Sequence, residues 1–374
     1  VNVELSQEQE AFRNTTRRFL EARVPLLVVR QLYESHDGFE RSWWREAAEL
    51  GWTSLFGPEV GGGGISPIPT RDAVIVAEEM GRMVAPGPFL PVSVVAAALL
   101  WEGTATQRAD LLPALASGDS IASWALAEPG DVWDPASFMT RAVLDGDIMV
   151  LTGTKAYVEA ATTSDHFLVT ARTDDGLTQA LVAANADGVT VTPGRSIDMT
   201  RRFGLVTFDG TRVPTSAVLG TVAGAGPAVE RQVQLAIALQ CAELVGVAQR
   251  TLEFTLEYGS SRHAFGRPIV SFQALKHRIA DMTVWLEGSK AVTDALAQAI
   301  DDEDPESLHL ARIAKAYVGE HCPDVVDDCV QITGGIGVTW EHDIHLYNRR
   351  ATLDRALYGT PEDHKEQVIT WLRG

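Results

Sequence analysis

Basic side chains are scarce: of 374 residues only 31 are Lys or Arg, against 50 Asp or Glu, for a formal net charge of −19. That balance argues against nucleic acid as a partner, because phosphate binding needs clustered cations. It also means that any anionic ligand has to be held by a local basic or backbone-amide site against the global field, and few local candidates stand out. Cysteine is scarce too. Cys241, Cys322 and Cys329 are odd in number, sit in apolar or helical surroundings and show no CxxC spacing, which disfavours a zinc or redox pair and leaves structural free thiols. No apolar run reaches the roughly 18 residues that span a bilayer. The N-terminal VNVELSQEQEAFRNTTRRFLE is polar and lacks the apolar core of a signal peptide. A soluble, cytoplasmic chain without membrane insertion is the expectation. Internal repeats and low-complexity tracts are absent as well.

What is present is a chain with 45% hydrophobic residues, enough to bury one large core or two to three smaller ones. Residues 1–120 carry apolar residues at three- and four-residue spacing in LSQEQEAFRNTTRRFLEARV, SWWREAAELGW and TRDAVIVAEEMGRM, punctuated by FGPEVGGGGISPIP and APGPFLP. From 121 the period changes to two in short runs such as AVLDGDIMVLTG, HFLVTARTDDG and LVTFDGTRV, and this β pattern ends near 227. Residues 228–374 return to helical spacing. The order helix, sheet, helix predicts an α+β protein of three parts: 1–120 helical, 121–227 a β domain, 228–374 a helical bundle.

Two segments carry the most information. In YGSSRHAFGRPIVSFQALKHRIADM (258–282) a helix ends near Arg262, a tight FGRPI turn follows, and a second helix begins around Ser271. In QITGGIGVTWEHDIHLYNRRA (331–351), Gly334, Gly335 and Gly337 let backbone approach a ligand closely. With LSQEQEAFRNTTRRFLE, LGWTSLFGPEVGGGG and LAEPG, these segments resemble the acyl-CoA dehydrogenase family along essentially the whole chain. The resemblance implies FAD as cofactor, an acyl-CoA thioester as substrate, a flavin-oxidising electron acceptor, and a helical bundle through which subunits associate. It also implies that Arg262, Phe265, Gln273, Gln331, Gly334 and Gly335 form the part of a flavin site lent to a neighbouring subunit. Leu126, Tyr157 and Thr360 would be contacts to flavin from the chain's own side.

The family reaction removes an α-proton with a carboxylate base, and here the resemblance breaks. Tyr358 stands in RALYGTPEDH where most members carry glutamate before Gly-Thr. The alternative family position, thirteen residues before Gln249, is Ala236, and the arginine beside it corresponds to Ile237 unless the pair has moved to Glu230-Arg231. Val132-Trp133 replace a Gly-Ser that approaches flavin, and Glu159 replaces a threonine. Two candidates for a base remain: Tyr358, which needs a strong local cation to ionise, and Glu243, on the same helix face as Ala236. Asp354, Glu362 and Asp363 read as surface charges. His342, His345 and His364 fit no metal template, and no metal is expected. The reading that follows is a subunit of a heteromeric acyl-CoA dehydrogenase whose homologous partner supplies the glutamate. Its rivals are a self-sufficient dehydrogenase using Glu243 and a flavin-dependent oxygenase on the same fold.

Overall fold

Ser6 opens the first helix by accepting from the Gln9 N–H while the Gln9 side chain accepts from the Ser6 N–H, a reciprocal cap that satisfies two of the donors left free at a helix start. The structure, a computed structural model, describes residues 5–57 and 66–373. Most of the FGPEVGGGG stretch lies outside them. Among the described residues the first third holds α1 (Gln7–Arg23), α2 (Leu26–Leu32), α3 (Arg41–Ala48), α4 (Pro69–Met83), α5 (Phe89–Glu102) and α6 (Ala105–Ala116). In α5 every residue from Phe89 to Leu99 is buried, as expected of a helix apolar on all faces.

The period-two runs form one sheet from β1 (Ala122–Ala125), β2 (Arg141–Asp145), β3 (Ile148–Glu159), β4 (His166–Arg172), β5 (Leu177–Ala183), β6 (Val189–Pro193), β7 (Phe203–Pro214) and β8 (Val218–Leu219). The order is β6-β7-β3-β2-β4-β5-β8, with β1 running parallel to β4. Gly146 makes the tight β2–β3 turn at φ +61°, where a glycine carries no steric cost. The sheet has its own apolar core around Phe167, Val169, Val206 and Phe208.

The last third begins with α7 (Gly226–Ser261), followed by a two-residue hairpin of β9 (His263–Ala264) and β10 (Arg267–Pro268), then α8 (Gln273–Asp301), α9 (Ser307–Thr333), α10 (Ile344–Ala356) and α11 (Pro361–Leu372). By length and composition α7 could cross a membrane, and 89% of its apolar window is buried against other elements. It crosses α4 at backbone distance. A Cβ on Gly246 would lie 1.9 Å from the Glu78 carbonyl oxygen, and one on Gly81 would lie 2.1 Å from that of Glu243. All three cysteines are buried free thiols.

Candidate active site and flavin surfaces

Glu243 lies in the apolar run LAIALQCAELVGVA, so α7 can bury it only with partners. It receives two. Arg350 of α10 donates to one carboxylate oxygen, and Arg201, on the loop before β7, donates to the other at 3.1 Å. Arg201 also holds Glu159, at the end of β3, through bonds of 2.8 and 2.6 Å, and reaches Asp354 at 2.6 Å. Arg350 adds Asp198 at 2.6 and 3.2 Å and the Thr200 hydroxyl at 2.9 Å. Lys315 of α9 closes the group, donating to the Gln240 side chain at 2.7 Å and to the Asp354 carbonyl at 2.6 Å. The result is a buried ionic cluster that ties the sheet to the bundle.

The charges within it are unequal in behaviour. Burial opposes ionisation of Asp198, yet the Arg350 guanidinium beside it holds its carboxyl below the ordinary range. Asp354 goes the other way: burial, then the neighbouring Glu243 charge, raises it far above that range. Its second oxygen has no partner among the described residues, so no cation compensates a charge there. Burial lowers the Lys315 ammonium to about 8. With Asp354 neutral, three cations face Glu159, Glu243 and Asp198, and the cluster balances.

Two expectations are corrected by this arrangement. Asp354, read from sequence as a surface charge, is fully buried. Glu243, read as a possible base, has both oxygens committed to guanidinium groups, so neither is free to meet an α-proton. The cavity it faces, between α4, α5 and α7 and bounded by Arg201 and Glu159, has a volume of about 20 Å³. That is room for about one water, not for an acyl chain.

Tyr358 fares no better as a base. Burial is the main cause that pushes its hydroxyl well above the ordinary tyrosine value, with the Glu159 charge adding to it. Arg201, the cation that would help it ionise, is already engaged by three carboxyl groups. Tyr358 has φ +61°, and its carbonyl accepts from the His364 ring at 2.9 Å. Thr360 is a helix cap: its hydroxyl and backbone N–H both bond Asp363 at 2.8 Å, which starts α11. Leu126 is buried in the core with its carbonyl taken by Lys155 Nζ at 2.9 Å. Both were expected to touch flavin, and each has a structural task within the chain.

Tyr157 lies at the surface of the sheet, 39% exposed. Its hydroxyl donates to Asp131, and its ring stacks on Trp133 with centroids 5.5 Å apart and planes at 21°. Trp133 meets Tyr358 edge-on at 5.2 Å, and Trp124 lies behind Tyr358 at 6.0 Å. Beside these rings opens a cleft of about 1080 Å³ between the 131–137 loop, the first turns of α7, the start of α9 and one face of α11. Its lining includes Asp131, Asp134, Glu230, Asp363 and Glu366 but one arginine, Arg312. Glu230 thus faces the cleft, whereas Arg231 pairs with Glu303 at 2.9 Å and covers Trp101.

The residues expected to be lent are arranged differently. Arg262, Phe265, Gln273, Gln331, Gly334 and Gly335 are all exposed, Phe265 at 97%. The Arg278–Asp328 pair, at 2.7 Å, holds the start of α8 beside the end of α9 and so brings the two segments to one end of the bundle. Gly334 has φ +72°, and a Cβ on it or on Gly335 would meet nothing within 4 Å. Gly337 differs, since a Cβ there would press on the Val330 carbonyl at 3.0 Å. The stretch 258–280 contains Arg262, Arg267, Lys276 and Arg278 and no acidic residue. Here, then, is the local basic surface that composition alone did not reveal.

Three family models tile the chain: acyl-CoA dehydrogenase N-terminal domain over residues 6–119, middle domain over 123–209 and C-terminal domain over 227–372. The chain belongs to the acyl-CoA dehydrogenase family. It is 32% identical over 366 residues to acyl-CoA dehydrogenase IpdE2 of Mycolicibacterium smegmatis, covering 97% of this chain and 98% of that one. Among solved structures it resembles a variant of the Tcur3481-Tcur3483 steroid ACAD, with 29% identity, a TM-score of 0.87 and 98% of each chain covered. It likewise resembles the ChsE4-ChsE5 complex from Mycobacterium tuberculosis, with 25% identity, a TM-score of 0.87 and coverage of 100% and 99%. The three-part α+β architecture, the oxidoreductase class and FAD as the family cofactor follow. The two surfaces differ in kind: the exposed end of the bundle carries Arg262, Arg267 and Lys276 beside the open backbone of Gly334 and Gly335, whereas on the other side Trp133 stands between Tyr157 and Tyr358 at the edge of the cleft.

Proposed function

We propose that this chain is the base-free subunit of a heteromeric FAD-linked acyl-CoA dehydrogenase. The observation that carries the reading is that neither family position for the base offers a carboxylate: one is Tyr358 and the other is Ala236, buried completely in α7. Glu243, the carboxylate weighed as a displaced base, is locked between two arginines. A homologous partner subunit would supply the glutamate and the main flavin contacts, while this chain lends Arg262 and Gln331 across the interface. When bound, FAD accepts the hydride from the acyl β-carbon. What this chain's residues would do is bind and orient: Arg262 would pair with the pyrophosphate, Phe265, Gln273 and Gln331 would add contacts from the same exposed surface, and Gly334-Gly335 would admit close backbone approach. The two-name complexes among the similar structures support the assembly, and the steroid ACAD supports a bulky acyl-CoA ester, steroid side chains included, as substrate. A separate flavin-oxidising protein would take the electrons, and the cytoplasm is the proposed location.

The test is flavin retention. The chain purified alone should be colourless and should acquire FAD when co-expressed with a homologous subunit. Arg262→Ala in that assembly should weaken FAD binding at least about tenfold, since a charge-assisted hydrogen bond contributes roughly 1.5–3 kcal/mol. One FAD per chain in the isolated wild type, or unchanged flavin in the Arg262→Ala assembly, would count against the proposal.

A further inference from the structure

The ring cluster at the inner end of the large cleft has an arrangement that packing alone does not call for. Trp133 lies on an exposed loop, yet its indole is inserted between Tyr157, nearly parallel at 5.5 Å, and Tyr358, edge-on at 5.2 Å. Both flanking residues are held in place. Tyr157 is pinned by its bond to Asp131, and Tyr358 by the His364 contact to its carbonyl and by Trp124 behind it. Asp131, Tyr157 and Tyr358 all take positive φ, at 60°, 53° and 61°. Non-glycine residues avoid that region, and several together mark a site where the surroundings dictate geometry. The loop is braced in turn: Asp134 accepts from the Ala136 N–H at 2.9 Å.

We propose that the Trp133 indole is an internal occupant of this chain's own flavin-ring site, so that no tricyclic ring can stack on Tyr157 from that side while the indole is in place. The inference rests on the reading above, in which the partner carries the flavin. A planar ring clamped over Tyr157 needs the face that Trp133 covers, and aromatic faces stack at separations that leave no room for a third ring between them. Tyr358 closes the other side. The indole is a two-ring plane of suitable width, attached to the chain, so it fills the slot without an ordering step for a free ligand. Trp133 is therefore a specificity-determining residue: it excludes a tricyclic flavin ring from this side and leaves the lent surface at Arg262 as the route by which this chain meets flavin.

The test uses lumiflavin, the bare tricyclic ring, so that pyrophosphate contacts play no part. Lumiflavin fluorescence is titrated with the full chain carrying Trp133→Gly, Trp133→Ser or Trp133→Phe. The glycine and serine variants should quench saturably with affinity at least about tenfold above wild type, and Trp133→Phe, which keeps a ring in the slot, should stay within about threefold of wild type. In the co-expressed assembly, Trp133→Ser should raise the FAD content per chain above that of wild type. The serine variant decides the matter if the glycine variant does not fold. A folded serine variant that binds lumiflavin no better than wild type overturns the proposal, as does wild type binding it equally well. If the assembly forms and holds flavin but lumiflavin affinity does not change, the indole's role falls and the heteromer stands. If no assembly forms, the lumiflavin series on the lone chain still decides the role of Trp133.

Discussion

Replacing Glu243 by Gln removes one charge from a cluster in which three cations balance three carboxylates, and the structure says where the compensation will come from. Breaking a buried ion pair from one side costs about 3–5 kcal/mol. Asp354, however, is neutral mainly because it is buried and secondly because Glu243 is ionised nearby, and it already lies 2.6 Å from Arg201. Without the Glu243 charge, Asp354 can ionise and restore balance, which brings the cost of Glu243→Gln down to about 2 kcal/mol. Asp354→Asn alone exchanges one neutral group for another, about 1 kcal/mol. The double variant has no substitute charge and should lose about 5 kcal/mol, so the singles underestimate it by about 2 kcal/mol. Urea unfolding of the four proteins measures this directly. The pH dependence supplies an independent sign. With its folded value raised, Asp354 in the wild type makes stability fall as pH rises above about 4. Glu243→Gln should flatten that slope. Additivity within about 0.5 kcal/mol would refute the compensation, and a Glu243→Gln assembly with intact fold and flavin but turnover down by orders of magnitude would restore Glu243 as the base.

Other consequences are as direct. Burial lowers the His364 ring from 6.5 to about 4, so the unfolded chain binds the extra proton between those values and stability should rise with pH across that window; His364→Gln should remove that part of the slope in melts between pH 4 and 6.5. Gly246→Ala drives a methyl into the Glu78 carbonyl at 1.9 Å, and because backbone meets backbone there the loss should exceed about 1–3 kcal/mol, seen as a lower urea midpoint. Thr360→Ala deletes the α11 cap and should cost about 1 kcal/mol with flavin content in the assembly unchanged, whereas a flavin contact would show the reverse.

The three-part order was legible because its signals are local. Periods of two and near 3.6 each lie within one element, and the Ser6 cap and the Gly146 turn are short-range features. The residues expected to be lent stood out in sequence, and the structure exposes them at one end of the bundle, although the absence of acid from 258–280 drew no notice beside a charge of −19. The ionic cluster was not legible, since Asp198 and Arg350, or Arg201 and Asp354, stand about 150 positions apart and no periodicity links them. One signal was available: a glutamate surrounded by Leu, Ile, Val and Ala throughout α7 has to be buried, and a buried glutamate needs a cation. Asp354 was misread because α10 alternates polar and apolar residues too evenly for its inner face to stand out. Thr360 was read through the Gly-Thr dipeptide, when Thr-Pro-Glu-Asp is itself a helix start, with proline in the first turn and a carboxylate at the third position.

The 258–280 face also bears on how subunits would meet. Two chains of this composition repel at long range, because each presents an excess of 19 negative charges, and the 258–280 face, with four basic residues and no acidic one, lowers that barrier locally. Repulsion spread over a whole surface is screened beyond about 8 Å at physiological ionic strength, whereas attraction concentrated on one face still acts at contact. Encounter would thereby be oriented: a partner that offers carboxylates to Arg262, Arg267 and Lys276 would be drawn to this face in preference to the acidic remainder of the surface. Two identical chains gain from this only if each offers acid where the other is basic, whereas a less acidic homologue escapes most of the repulsion, so electrostatics favours the unlike pair kinetically.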